Sequence, residues 1–560
     1  MRQPSIAAFA LAFLVTVPST VSVSVRTTWN GAEYDCKCSP EHGCWPSTAE
    51  WAALNTTVAG SLVADTPPGS VCYNTFDGPL GSVPTYDASQ CNEALAQFAN
   101  ETWQIEQPAA ALWTYFTNDT CRPTSNPSGS CTLGFYGIYV LMAKSQSHVK
   151  AGIDFAREKN LRLVIRNTGH DFIGRSTGWG SLVINTHYFQ DLLGSVQQWA
   201  LREVWSKGGG HGPLTTLHGL VADNALSFDV ITAKSEYMTA NADSNPDLFW
   251  ALKGGGPSAF AVVLAATFKT IPETRATGVL LNINSTMTND SDVFWEGVKI
   301  FHSHTNSFVN NGLYAYFEIF PLRFHVQPIV GLGKTASEMD ALVKPMLDEL
   351  KERGVPHDTS TKEFSTFYDL YIDLFEDEPA GNSALTGGWT FTHEDVARRN
   401  GDIVEAFKTV LSPREDLADQ GYILGHVWNA GRYVVPRPDS SSSATHPKFR
   451  NATSKVIAAL PVPPGSTWNR KQDYQHVLTD IQDAALRRAG PDGCAYVNEA
   501  DPYQADWQEH FWGAAVYSRL RETRRKWDPE GVLYAVSTPG TEGWEVIEYG
   551  TKLCKRLSSV

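Results

Sequence analysis

The chain has 560 residues and a net charge of −15. That length holds one large two-domain enzyme or about two to three domains, and the acidic balance argues against nucleic acid, which needs a basic footprint. No stretch after the first residues offers the ~20 apolar residues of a membrane helix, so no membrane partner is expected.

The chain opens MRQPSIAAFALAFLVTVPSTVS, with an apolar core at 6–17, Pro18, and small residues at Thr20 and Ser22. This predicts a signal peptide over 1–22 and a secreted, extracellular protein; an uncleaved anchor would need a longer core. Seven of the nine cysteines fall between Cys36 and Cys131. In an oxidising compartment this predicts a disulfide-stapled segment over 23–130, with the pairing open and at least one thiol left over. Zinc is the competing reading of CKCSPEHGC, but there are no paired C-x-x-C knuckles, so no metal is expected. Sequons at Asn55, Asn100, Asn118, Asn284, Asn289 and Asn451 predict a glycoprotein.

SHVKAGIDFAREKN predicts a helix capped by Ser147 and ending near Asn160, and LRLVI (161–165) predicts a buried strand. The chain leaves that strand through RNTGHDF, where Gly169 allows close backbone approach and His170 is presented past a strand end. SLVIN and ALSFDVIT predict further strands. In NPDLFWALKGGG, Asn245 reads as cap, Pro246 as first helical residue and Gly254 as stop. AFAVVLAATFKTI closes this region near Ile271. LYAYFEIF (313–320) predicts an antiparallel strand with Tyr314, Tyr316 and Glu318 on one face. ASEMDALVKPMLDELKERG and HEDVARRNGDIVEAFKTVL predict amphipathic helices, PRPDSSSSATHP (436–447) an exposed loop, and DWQEHFWGAAVYSRLRETRRKW one helix ended by Asp528 and Pro529.

RNTGHDF, GGGHGPL with LVADN, NPDLFWALKGGG and WDPEG, in that order, resemble the berberine-bridge-enzyme-like FAD-linked oxidases. These belong to the wider vanillyl-alcohol-oxidase and p-cresol-methylhydroxylase (PCMH) flavoprotein fold, and the likeness to secreted fungal members runs from CWPS to Trp544. The resemblance implies an α+β, two-domain fold. A split FAD-binding PCMH-type domain would occupy 131–272, an antiparallel-sheet substrate domain with covering helices 273–480, and a C-terminal segment over 481–560 would return to the FAD domain. It implies FAD bonded through His170. Arg166, Asn167, Thr168, Gly169 and Asp171 would offer backbone donors to the pyrophosphate, a nest of amides around anionic oxygens. Ser176 would add a hydroxyl, and Asp223, Asn224 and Val262 would line the adenine and ribose side.

The implied activity is oxidation of an alcohol-type small molecule, a secondary metabolite among the options, by hydride transfer to flavin with O2 as acceptor. Candidates for the base are Tyr314, Tyr316, Glu318 and Tyr422, each equally readable as packing or as a solvated side chain. His211 and His218, with no acidic partner at ligand spacing, do not support a metal-dependent hydrolase.

One departure from the family is large. Only QDLLGSVQQWALREVWSK separates SLVINTHYF from GGGHGPL, so the FAD domain is expected to be shortened near 190–207, by a deletion or by an exon left out. No cysteine lies between Cys131 and Cys494 for a second flavin bond. A flavin-free or inactive secreted relative that binds a small molecule or glycan is the alternative. Pro257, Ser258 and Val516 are smaller departures, and the last leaves a flavin-facing contact beside Tyr517 open.

Overall fold

Branched residues make Arg162–Arg166 and Ser181–Asn185 parallel neighbours, with Leu163 opposite Leu182 and Ile165 opposite Ile184. They belong to a computed structural model that describes residues 25–192, 208–288, 290–376, 379–431 and 439–557. The expected signal peptide, the sequon Asn289 and most of the short 190–207 segment lie outside the described residues.

Tyr139–Met142 pairs with Ser181–Asn185, also parallel, and Leu62–Ala64 completes this four-stranded sheet. The crossover is the helix Gln146–Glu158, which buries Val149, Ile153 and Ala156 as its period requires. Its cap is Ser145 rather than Ser147: Ser145 is extended, and its Oγ accepts from His148 N at 3.3 Å. Ser147 already lies in the first turn and bonds Ser145 Oγ at 2.9 Å.

Tyr237–Asn241, Ala225–Thr232 and Ala261–Phe268 form a second, antiparallel sheet. Asn245 does precede the helix Pro246–Leu252, but not as a side-chain cap. It sits at φ +53° and its amide donates to Thr239 O at 2.9 Å. Asparagine tolerates that left-handed position, and its role here is to turn the chain.

The third sheet is antiparallel and seven-stranded. Its order is Asp358–Phe364, Ala276–Asn284, Arg323–Leu332, Tyr314–Phe320, Tyr422–Val427, Ala452–Pro461, Ala384–Thr392. The two-residue period splits its faces. Ala315, Phe317 and Ile319 pack with Phe301, Phe407 and Val410 of the covering helices Ser291–Asn310 and His393–Leu411. Tyr314 and Tyr316 pack on the other face with Trp428, Phe449 and Tyr496. The fold is therefore α+β, as expected.

The C-terminal helix of the sequence reading is two helices, Trp507–Trp512 and Ala514–Trp527. Gly513 at φ +76° breaks them, a conformation that costs glycine nothing. The serine-rich loop is not exposed throughout: Ser443 to His446 are buried, and Thr445 packs on the Gly254 turn, where a β-carbon would overlap it. Cysteine pairing follows the expected clustering for Cys38–Cys44, Cys72–Cys91 and Cys121–Cys131. Cys36–Cys554 joins the two ends of the chain, beside the paired strands Ala32–Cys36 and Lys552–Arg556, and Cys494 stays reduced and buried.

Just past the strand Leu62–Ala64, the Asp65 carboxyl is buried and its Oδ2 has no hydrogen-bond partner among the described residues. Burial pushes it up to about 7 although Arg166 opposes the shift. A folded-state value above the unfolded one means the native chain holds a proton the unfolded chain has lost. The contribution to stability is complete below the ordinary carboxyl range and disappears as pH climbs towards about 7, by on the order of 4 kcal/mol. Thermal unfolding scans between about pH 4 and 8 should show a melting point that falls with pH, and Asp65→Asn should flatten that slope.

Candidate active site

The turn after Arg162–Arg166 is fixed from both ends by buried guanidinium groups. Arg166 donates to the carbonyls of Gln104, Ile105, Pro108 and Ala110 at 2.8–3.4 Å. Arg175 donates to Val497 O at 2.8 Å, Val536 O at 3.0 Å and Ser537 O at 3.4 Å. Asp171 closes the turn internally, its Oδ1 accepting from Ile173 N and Arg175 N. The Arg166 side chain is thus committed to the protein, whereas Asp171 Oδ2 is buried with no hydrogen-bond partner among the described residues, 3.8 Å from the Arg175 guanidinium.

Between them, Gly169 sits at φ +83°, and a β-carbon there would lie 2.9 Å from Ala110 O. Among the described residues nothing accepts from the amides of Thr168 or Gly169. Asn167 Nδ2 reaches Thr186 Oγ1 at 3.3 Å, and Ser176 is buried. His170 Nε2 lies 2.7 Å from Glu101 Oε1. A glycine-permitted turn with unpartnered amides and a presented imidazole fits the expected flavin nucleotide.

The residues expected on the adenine side have protein partners. Asp223 accepts from Leu220 N and forms a buried ion pair with Arg450. Asn224 Nδ2 donates to His218 O and Leu220 O at 2.9 and 3.1 Å. Val262 packs in the core with Ile231 and Leu163. Each of these three side chains thus packs on or bonds to the protein itself.

The four candidate bases separate. Tyr316 lies directly opposite His426, and His426 directly opposite Lys455, so one row crosses three strands on the same face. Tyr314 Oη is 2.9 Å from His426 Nδ1, and the Tyr316 and His426 rings are 5.0 Å apart. Glu318 pairs instead with Arg323 at 3.0 Å, and Tyr422 stacks on Phe320 at 5.3 Å. Those two belong to the far end of the strands.

The glycine turn Gly208–Gly210 brings His211 onto this row. Gly210 N donates to Tyr496 Oη at 3.1 Å, and His211 stacks on Trp428 at 5.3 Å with its ring 4.8 Å from that of His426. Its Nε2 is 3.3 Å from Glu499 Oε2, a carboxylate that also pairs with the Lys455 ammonium. Burial, then the charge of Lys455, holds the His211 imidazole well below its ordinary range. Burial, then His211 and Lys455, does the same to His426. Both rings are neutral near physiological pH. His211 Nδ1 and Trp428 Nε1 are buried with no partner among the described residues.

His211, His426 and Glu499 bring ligand atoms within 4.8 Å of one another, a grouping that sequence spacing did not suggest. A metal ion there would have to displace the Lys455 ammonium from the one carboxylate. His426, Lys455, Trp428, Tyr496 and Glu499 also join the site without being marked by sequence motifs. For His426 a signal existed: it continues the Tyr422 face of YILGHV at two-residue spacing.

The family model described as berberine and berberine like matches residues 495–536, which contain Tyr496 and Glu499. The chain is 32% identical to the FAD-linked oxidoreductase ZEB1 of Gibberella zeae over 93% of its length and 95% of the relative's. It is 29% identical to the VAO-type flavoprotein oxidase VAO615 of Thermothelomyces thermophilus, over 97% of this chain and 99% of that one. That alignment runs to 606 positions, more than the 560 residues here, so the relative carries stretches this chain lacks. The crystal structure of the VAO-type flavoprotein MtVAO615 from Myceliophthora thermophila C1 superposes with a TM-score of 0.82 at 27% identity, covering 93% of this chain and all of that one.

Removing Lys455 alone leaves the mostly enclosed Glu499 carboxylate without its cation, a loss of up to about 3–5 kcal/mol. Lys455→Met should therefore destabilise the protein more than Lys455→Met combined with Glu499→Gln, as read by denaturant unfolding. Equal losses would mean that the pair does not interact as described.

Proposed function

The chain belongs to the berberine-bridge-enzyme-like, VAO-type family of FAD-linked oxidoreductases, and from that premise we propose that it is a secreted oxidase of a small alcohol with O2 as final acceptor. The Thr168 and Gly169 amides would hold the cofactor's anionic oxygens, and His170 would bond its ring. Bound FAD supplies the two-electron acceptor and returns the electrons to dioxygen.

The protein's own work is proton handling. Tyr314 Oη takes the proton of the substrate hydroxyl as the phenol's own passes to His426 Nδ1. A neutral imidazole is needed for that, and the burial and Lys455 charge around His426 support one. His211 Nδ1 and Trp428 Nε1 offer the substrate or the ring two further polar contacts. The observation that carries this reading is the 2.9 Å Tyr314–His426 pair on the sheet face beside the GGGH turn. Tyr314→Phe should lower turnover by about 10²- to 10⁴-fold while leaving flavin content unchanged. Unaltered turnover would remove Tyr314 from the mechanism.

Secretion is supported by the apolar core at 6–17 and by four disulfides. Among the described residues no helix is long and apolar enough to cross a membrane. Asn100 and Asn451 are exposed and suit a glycan; Asn55 and Asn284 are half-buried. Asn118 is half-buried as well, and its Oδ1 accepts from Lys471 Nζ at 2.6 Å. Expressed in a eukaryotic host, the protein should reach the medium and lose mass when N-glycans are removed enzymatically. Cytosolic retention at unshifted mass contradicts this part of the reading.

A second reading, a flavin-free secreted relative that binds a small molecule or glycan, is favoured by the stretches this chain lacks relative to VAO615. The colour of the purified protein separates the two: yellow supports the oxidase, and a colourless folded protein supports the alternative.

A further inference from the structure

Glu101 begins the helix Glu101–Glu106, whose first turn is capped by Asn100 Oδ1 accepting from Trp103 N at 3.1 Å. The far end of that helix is held by Arg166, which donates to Gln104 O and Ile105 O at 3.2 and 3.0 Å. The same arginine opens the turn that carries His170, and Leu112 N donates back to Gly169 O at 3.3 Å. One guanidinium therefore sets the helix bearing Glu101 against the turn bearing His170. Within that frame the His170 and Glu101 side chains are 12% and 21% exposed and 2.7 Å apart, Nε2 to Oε1.

We propose that Glu101 is the positioning residue for the covalent attachment of flavin to His170. This rests on the His170 linkage of the proposed function. The carboxylate accepts Nε2–H, which fixes the tautomer so that the ring's lone pair lies on Nδ1. It also fixes the ring plane, as carboxylates do for imidazoles that ligate metals.

In the attachment, a bond forms between Nδ1 and the flavin's 8α methyl carbon as a C–H bond of that methyl breaks, its proton leaving to solvent. The two electrons released are taken by dioxygen, which with two protons becomes hydrogen peroxide. The ring is then an alkylated imidazolium that still carries Nε2–H. Glu101 neutralises it, so the pair is stronger after the bond has formed than before.

The test compares full-length wild type, Glu101→Gln, Glu101→Ala and His170→Ala for total bound flavin and for flavin surviving acid precipitation, read as fluorescence in denaturing gels. Glu101→Gln should bind total flavin like wild type but attach it at least about tenfold more slowly, since the charge-assisted bond is lost. Glu101→Ala should be slowed likewise and restored in part by added formate, which supplies a carboxylate to the space left. Attachment at the wild-type rate in Glu101→Gln overturns the proposal while leaving the His170 linkage intact. Parallel loss of total and covalent flavin in both variants overturns it in favour of a purely structural role. No acid-stable flavin in wild type, or retention in His170→Ala, overturns the linkage and the proposal together.

Discussion

Two buried charges, the guanidinium groups of Arg166 and Arg175, hold the turn on which the rest of the site depends. Each is enclosed by protein and satisfied chiefly by backbone carbonyls. Burial pulls both down to about 10, far enough to register the desolvation and not far enough to discharge either. A buried cation with this many acceptors cannot move without leaving several carbonyls unpaired, each costing about 1–3 kcal/mol. The acceptors come from distant stretches of chain: residues 104–110 for Arg166, and 497 with 536–537 for Arg175. The turn is consequently a joint between the cysteine-rich segment and the C-terminal family segment, both of which must be in place before His170 is positioned.

The second constraint is register. Opposite positions in the antiparallel sheet place Tyr316, His426 and Lys455 in one row, and the next strand adds Thr390 opposite Lys455. Thr390 bonds Cys494 O, through its Oγ1 at 2.8 Å, so the family segment is laid across the row and delivers Tyr496 and Glu499 to it. Lys455 then has two effects: it neutralises Glu499 in a dry setting and discourages protonation of both histidines. A slip of one residue in any of these strands would send the row to the face covered by helices.

Local chemistry was legible in the sequence; long-range commitments were not. Strands such as Ser181–Asn185 and Ala225–Thr232 follow from branched residues between turn signals, and the shared face of Tyr314 and Tyr316 follows from the two-residue period. Gly169 and His170 stood out because a glycine past a strand end has few other uses. Nothing local marks Glu101, Lys455 or Glu499 as neighbours of histidines far along the chain, since sheet register and the Arg166 frame bring them together. The same cause gives the Arg166, Asp223 and Asn224 side chains partners that local sequence does not mark. Asn245, Ser145 and Gly513 differ for a smaller reason: several nearby residues can cap or break a helix, and φ decides among them.

The measurement that bears most directly on this account is peptide mass spectrometry of the native, purified protein. Cleavage after Arg166 and Arg175 releases NTGHDFIGR, a peptide whose only imidazole is His170. This peptide is expected to carry the mass of FAD, with fragmentation placing it on the histidine. Recovery of the peptide unmodified from yellow protein, or flavin on any other peptide, would contradict it.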